Sequence, residues 1–311
     1  MLNLSEIRSL LITGASGFVG RSLIDFLGNL TQEREPLEIV LVSRNGIDFP
    51  LPTNLKKITR NLELDLKHPW RIRFQPSHVI HLAADGTFAP YSTDASASFE
   101  LIISNLISWI STCEEKPKLF HASSGACFEY ESNSSKNKLF IPKYEFAKTR
   151  KKAEDSLKMA SKQLNFDISI ARLFSFSGTH LLQKRQYAIS DFIRSAVINN
   201  TVHLKGNPNT IRSYLHQESM AEWIFKALVN PYSYTDLQIG SNVPVRLGVL
   251  AKYVSEITST SVSFAQNWPL PDTYLPNNEE TKAKLLVEEG KSWKIAVEEM
   301  VNEMRVQYGK I

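Results

Sequence analysis

The chain has 311 residues, 42% hydrophobic and 22% charged, with 36 basic against 32 acidic residues for a net charge of +4. That balance belongs to a folded protein with one large or two modest cores, and it argues against nucleic acid as a partner, which needs a concentrated basic patch. No apolar run is long enough to span a bilayer, so no membrane partner is expected, and two cysteines, Cys113 and Cys127, fit buried free thiols in a reducing cytoplasm.

The opening "MLNLSEIRSLLITG" lacks the basic start and long apolar core of a signal peptide, so a cytoplasmic location is expected. "RSLLIT" reads as a first strand, with a helical pattern beginning at Phe18. "LEIVLVS" (37–43) is a second strand, "KKITRNLELDL" (56–66) holds a weaker third and "HVIHLAA" (78–84) is a fourth. An amphipathic stretch from Ala95 to Glu114 leads into "KLFHASS" (118–124), and a helix from Tyr144 to Leu164 precedes "DISIARLF" (167–174). Continuous apolar strands alternating with helices predict α/β architecture, a Rossmann-type doubly wound parallel sheet covered on both faces.

After residue 176 the pattern loosens, with Pro and Asn gathered in "KGNPNTIRSYLH", "GSNVPVRLG" and "NWPLPDTYLPNNEE". The expectation is a nucleotide-binding domain over 1–176 and a smaller α/β substrate-binding domain over 177–311, with segments free to return to the first. The last helix is expected at Ser292–Tyr308, its core face formed by Val297, Met300, Val301 and Met304. In "TRKKAEDSLKMASKQ" (149–163) charges of both signs alternate, which reads as a solvated helix face. His78, His81 and His121 lie on strand-like segments without metal-ligand spacing, so packing is expected and no metal site. Phe99 and Trp109 suit a buried helix face.

Gly14, Gly17 and Gly20 fall at intervals of three where the first strand gives way to a helix. There a glycine makes the sharp turn, a second lets the backbone approach a pyrophosphate, and a third lets helix and strand pack closely. The helix N-terminus offers its free N–H groups to the anion. At the end of the second strand an enzyme selecting NAD places an acid on the ribose 2′-OH, but here stand Ser43, Arg44 and Asn45. A guanidinium suits a 2′-phosphate, which favours NADP(H), while Asp48 could fold back and leaves NAD(H) as the alternative.

Tyr144 and Lys148 share one helix face at i, i+4. A lysine ammonium, together with an oxidised nicotinamide, would favour the phenolate and equip the tyrosine as acid–base. Upstream, Ser123 and Ser124 end a strand before Gly125, and a hydroxyl there can hold the reacting oxygen.

Taken together, the glycine triplet, "HLAA" (81–84), "SSGACF" (123–128), "YEFAK" (144–148), "ARLFSFSG" (171–178) and "KGNPNTIRSYLHQESMAEWIFKAL" (205–228) resemble the extended short-chain dehydrogenase/reductase family, also described as the NAD-dependent epimerase/dehydratase family. "LQIGSNVPVRLGVLAKYV" (237–254) and "ETKAKLLVEEGKSWKIAVEEMV" (280–301) extend the resemblance over nearly the whole chain. The resemblance implies that Gly14, Ser16, Gly17, Phe18, Val19 and Gly20 line the pyrophosphate and that Ser43 and Arg44 meet the adenosine ribose. It implies Asp65 and Leu66 at the adenine, Leu82, Ala83 and Ala84 along the cofactor cleft, and Asn105 on the central helix.

By the same resemblance Ser124, rather than Ser123, holds the substrate oxygen, because Phe128 then falls where the family has Tyr. Tyr144 is the acid–base, Lys148 binds the nicotinamide ribose, and Arg212 holds the diphosphate of a nucleotide-diphosphate sugar. Ser175 replaces the usual Asn at a substrate contact, and Pro208 and Asn209 replace a usual glycine. Family dehydratases follow the hydroxyl residue with Asp–Glu; here Gly125 and Ala126 follow, which disfavours dehydration.

Two chemistries remain: reduction of a 4-keto-6-deoxyhexose nucleotide with NADPH, favoured by Arg44, and 4-epimerisation with retained NAD. "RSYLH" and "YLPNN" resemble segments of reductases that finish deoxyhexose nucleotides, such as CDP-abequose synthase, in lipopolysaccharide O-antigen synthesis. A non-catalytic NADP-binding sensor is a third reading, disfavoured by the presence of Ser124, Tyr144 and Lys148. The resemblance also implies a homodimer through helices equivalent to 95–114 and 144–163.

Overall fold

The structure is a computed structural model, and it describes residues 4–30, 37–56, 58–84, 93–131, 141–182 and 187–309. Two compact units are present, Met1–Leu173 with Ala221–Leu237, and Phe174–Met220 with Gln238–Ile311.

The first unit opens with β1 (Ser9–Thr13), α1 (Phe18–Leu30), β2 (Glu38–Ser43), β3 (Thr59–Glu63), β4 (His78–His81) and α2 (Thr93–Thr112). It continues with β5 (Lys118–Ser124), α3 (Ala126–Glu131), α4 (Ile141–Leu164) and β6 (Ile168–Leu173). The second unit begins with β7 (Phe176–Ser177), α5 (Ala188–Asn199), β8 (Thr201–Leu204), β9 (Ile211–Arg212) and β10 (Leu215–His216). The chain returns to the first unit through α6 (Gln217–Leu228) and β11 (Tyr234–Ile239), then runs through β12 (Val245–Arg246), α7 (Leu247–Thr258), β13 (Ser261–Phe264), α8 (Glu279–Leu285) and α9 (Trp293–Gln307).

Seven strands form the central sheet in the order β11-β6-β5-β4-β1-β2-β3, with parallel pairing from β3 to β6. The order reverses between β1 and β4, the topological switch point at which this class of sheet opens a crevice beyond its strand ends. β1, β2 and β4 are buried almost throughout, because both faces are covered and no position can be polar without a partner. β3 is an edge strand with no fully buried position, which explains why its pattern reads weakly; Arg60 pairs with Glu38 of β2. β4 is shorter than the apolar run predicts, ending at His81, although Leu82 N still donates to the Thr13 carbonyl of β1 at 3.2 Å.

One face of the sheet packs on α2 and α4 through Leu11, Val79, Leu119 and Ile170 against Phe99, Leu106, Trp109 and Leu157. The buried helix face expected at Phe99 and Trp109 is present. On α1, Phe26 stacks on Phe225 of α6 at 5.8 Å between ring centroids. Cys113 and Cys127 are free and buried, and burial pushes the Cys127 thiol up to about 12.

His78, His81 and His121 are buried within their strands. His81 and His121 stack with centroids 5.4 Å apart, and His81 Nδ1 lies 2.7 Å from Thr13 Oγ1. His81 Nε2 and both ring nitrogens of His121 have no hydrogen-bond partner among the described residues. Burial lowers His81 to about 3 and His78 to about 4, and it lowers His121 well below the ordinary histidine value.

The solvated face predicted for residues 149–163 needs correction. Lys152 is exposed, but Glu154 is buried, and the Arg150 guanidinium lies 3.5 Å over the Phe99 ring, where burial lowers its pKa to about 10. Helical rotation carries these two residues to the side of α4 that also buries Thr149 and Ala153, while Lys152 and Asp155 stay outside.

In the second unit β7 pairs with β10 and β8 with β13, both parallel, while β9 and β12 are antiparallel. Helices α5, α7 and α9 pack on one another, with Ile189, Phe192, Leu250, Val254, Val297, Met300 and Met304 at the centre. The Ser292 side chain caps α9 by accepting from Ile295 N.

Candidate functional site

The crevice-forming ends of β1 and β4 carry the glycine loop and the Leu82–Ala84 segment. Gly14 has φ +70°, a left-handed conformation, and a Cβ there would come 2.9 Å from Ala83 N. A Cβ on Gly20 would lie 2.5 Å from the Ala15 carbonyl oxygen, so the loop crosses α1 only because that residue is glycine. Ala15 N donates to the Val42 carbonyl at 3.3 Å and Gly17 N to the Gly14 carbonyl at 3.0 Å, fixing the loop against β2. Thr13 Oγ1 accepts from Ala83 N at 3.3 Å, tying the glycine loop to the segment after β4. Helix α1 begins at Phe18, with Val19 and Gly20 in its first turn, so its N–H groups face back toward the loop. This cradle, closed to any side chain, fits the diphosphate of a dinucleotide.

Beside it, Ser43 is buried at the end of β2 and donates its hydroxyl to the Gly46 carbonyl, closing a turn on which Arg44 is exposed. Asp48 does not fold back toward Ser43 as an unpaired acid: its Oδ1 accepts from Arg21 Nη2 at 2.6 Å. Beyond β3, Asp65 is half-buried and accepts from Lys67 N at 3.1 Å. Leu66 is buried and its carbonyl accepts from Trp70 Nε1 and from Asn105 Nδ2 of α2, both at 3.1 Å.

The two serines at the end of β5 point to opposite faces of the sheet. Ser123 is buried and donates to Glu154 Oε1 at 2.5 Å. Ser124 is half-buried and accepts from Ala126 N at 3.2 Å. Tyr144 and Lys148 sit one turn apart on α4, which packs on β5 and α3. Lys148 Nζ is 3.6 Å from Glu145 Oε2, with both side chains substantially exposed.

Behind the serines lies a charged network that sequence reading did not single out. Arg172 of β6 donates to Glu154 at 3.0 and 2.7 Å and to Glu131 of α3 at 2.7 Å twice. Its guanidinium also lies 4.3 Å over the Phe128 ring. Burial opposes the charge on Arg172, but bonds to Glu154 and Glu131 outweigh it and raise its pKa. The network joins β5, α3, α4 and β6 around Ser123 and holds α3 directly after Ser124. The only sequence signal for it was Arg172 within "ARLF", and the partner carboxylates are 18 and 41 residues away.

In the second unit Arg212 does not stand unpaired. Its Nη2 donates to both carboxylate oxygens of Asp272 at 3.0 Å, and its Nη1 to the Ile211 carbonyl at 2.8 Å. Tyr274 packs on Phe174 with centroids 4.8 Å apart and lies 6.0 Å from the Arg212 guanidinium. The Ser175 carbonyl accepts from Leu215 N at 3.2 Å.

A model of the NAD dependent epimerase/dehydratase family matches residues 10–240, close to three quarters of the chain. The chain belongs to this family.

No curated protein sequence matches the chain. Among solved structures, MoeE5 in complex with UDP-glucose and NAD is similar at a TM-score of 0.77 and 19% identity, covering 96% of this chain and 99% of that one. A variant of UDP-glucuronic acid 4-epimerase from Bacillus cereus, with a fluorinated UDP-sugar and NAD, gives 0.77 at 17% identity, covering 96% and 100%. The dTDP-glucose 4,6-dehydratase of Bacillus anthracis gives 0.77 at 14% identity, covering 97% and 98%. At such identities the likeness establishes the fold.

As a member of the epimerase/dehydratase family the chain is an enzyme that uses a nicotinamide cofactor, and the glycine cradle between β1 and α1 matches that need. Among the described residues no group of three or more His, Cys, Asp or Glu is placed to hold a metal ion, and no helix is long and apolar enough to cross a membrane.

Proposed function

We propose that this family member is an NADPH-dependent reductase of a nucleotide-linked 4-keto-6-deoxyhexose, acting in deoxysugar synthesis. The observation that carries the reading is the end of β2: Arg44 stands there, and Asp48 is held by Arg21. A 2′-phosphate matches the first, and Asp48, held by Arg21, is not presented to a ribose 2′-OH as an unpaired acid. Gly125 and Ala126 after Ser124 carry no acid or base for eliminating water.

In this reading the backbone of Gly14–Gly20 holds the diphosphate, Asp65 and Leu66 meet the adenine, and Leu82–Ala84 form the floor of the cleft. When bound, the reduced nicotinamide supplies the hydride that converts the carbonyl carbon to a secondary alcohol carbon. Ser124 donates a hydrogen bond to the carbonyl oxygen and holds it beside Tyr144. The Tyr144 hydroxyl gives its proton to that oxygen as it becomes an alcohol, and solvent returns a proton to the tyrosine. Lys148 binds the ribose hydroxyls of the nicotinamide end and keeps positive charge near the phenol oxygen. Arg212, already shared with Asp272, takes the sugar diphosphate.

The second reading is a 4-epimerase that keeps NAD, favoured by the similar structures that hold NAD with UDP-sugars. Titration of the purified protein with NADPH and NADH separates the two. A preference for NADPH of at least about tenfold, together with turnover of a 4-keto nucleotide sugar, supports the reductase. NAD retained through purification, without NADPH preference, supports the epimerase. Tyr144→Phe is expected to lower turnover by about 100-fold or more while cofactor affinity stays within about twofold.

A further inference from the structure

The turn after β2 carries one carboxylate, Asp48, four residues beyond Arg44. Its Oδ1 accepts from Arg21 Nη2 at 2.6 Å. The same guanidinium donates Nε to the Ser16 carbonyl of the glycine loop at 3.1 Å and lies 4.5 Å over the Phe49 ring. Three contacts therefore fix Arg21 between the cradle and the β2 turn. Its side chain is 28% exposed while that of Asp48 is 73% exposed, so Arg21 is the anchored member and Asp48 the captured one. An ion pair this exposed contributes little to stability. Its consequence falls on the charge presented to the adenosine ribose.

We propose that Arg21 is a positioning residue for cofactor choice: by capturing Asp48 it withdraws the acid that would take a ribose 2′-OH and leaves Arg44 to meet a 2′-phosphate. This rests on the NADPH reading above. It adds that the preference depends on α1, through the residue that follows Gly20, as well as on the β2 turn. Glu63, at the end of β3 opposite Ser43, is the other carboxylate near the turn.

The test is equilibrium binding of NADP+ and NAD+ to the full-length chain, by calorimetry or tryptophan fluorescence, which requires no turnover. Arg21→Ala is expected to shift the NADP+/NAD+ affinity ratio by about tenfold toward NAD+. Asp48→Asn alone is expected to change the ratio by less than about twofold, because its charge is already neutralised. The double variant Arg21→Ala with Asp48→Asn is expected to lose the NAD+ gain, and Arg21→Lys to keep most of the wild-type ratio. Unchanged far-UV circular dichroism and melting temperature would place the effect in recognition rather than folding; if Arg21→Ala does not fold, Arg21→Gln replaces it.

A wild type that binds NAD+ as tightly as NADP+ overturns the cofactor reading itself. A wild type that prefers NADP+ but keeps its ratio in Arg21→Ala overturns the role of Arg21 and leaves the reading intact. Loss of NAD+ binding in Asp48→Asn alone would make Asp48 the ribose ligand. A shift in Glu63→Gln with none in Arg21→Ala would make Glu63 the selector. Either result overturns the proposal.

Discussion

Gly20 and Gly14 show how narrowly single residues can be constrained. At Gly20 a methyl group would overlap the Ala15 carbonyl, and backbone, unlike a flexible side chain, does not give way. Gly20→Ala is therefore expected to destabilise the fold by about 1–3 kcal/mol and to weaken dinucleotide binding, read by urea unfolding and by cofactor titration. Gly14→Ala adds left-handed strain of about 1–2 kcal/mol to its overlap with Ala83 N and should be the more damaging of the two. The spacing of the glycines was readable from the sequence because it reflects local backbone demands. The Arg21–Asp48 pair was not, since 27 residues separate its members and only the parallel β1–β2 pairing brings the start of α1 and the turn after β2 together.

At the scale of elements, the predicted strands at 118–124 and 37–43 match β5 and β2 within one residue; in β2, buried on both faces, the signal is a nearly unbroken apolar run. Helix α4 shows where a one-dimensional pattern fails. Its alternating charges looked solvated, yet Glu154 turns inward to meet Arg172 of β6 and Ser123 of β5. Removing one partner of such a buried network leaves the others uncompensated. Glu154→Leu is expected to destabilise the protein by about 2–4 kcal/mol, lessened by the contact Arg172 retains with Glu131, as measured by denaturant unfolding. The double change of Glu154 and Arg172 to Leu and Met should cost less than the two single changes added together.

Over the whole molecule, the buried histidines make folding stability depend on pH. His81 and His78 are held to about 3 and about 4 in the folded protein against an ordinary value of 6.5, and His121 is lowered in the same direction. Below about pH 6.5 the unfolded chain takes up protons that the folded chain refuses. Stability present above that pH is therefore lost as the pH falls toward about 4 for His78 and about 3 for His81, at up to about 1.4 kcal/mol per pH unit for each histidine. Urea midpoints measured from pH 7.5 to pH 4.5 should fall steadily. His121→Leu should flatten that profile and raise stability at pH 7 by about 1 kcal/mol, since it removes two buried nitrogens that lack partners among the described residues.

The sequence by itself determined the α/β class, the succession of strands and long helices of the first 173 residues though not the short α3, the glycine cradle and the family. Each of these is written in local periodicity or in short motifs whose residues lie within a turn of one another. Only the tertiary structure decided the return of residues 221–237 to the first unit, the capture of Asp48 by Arg21, the pairing of Arg212 with Asp272 and the burial of Glu154 with Arg172. These depend on which charges meet when distant strands pair, and a charge carries no sign in its own sequence of the partner that will neutralise it.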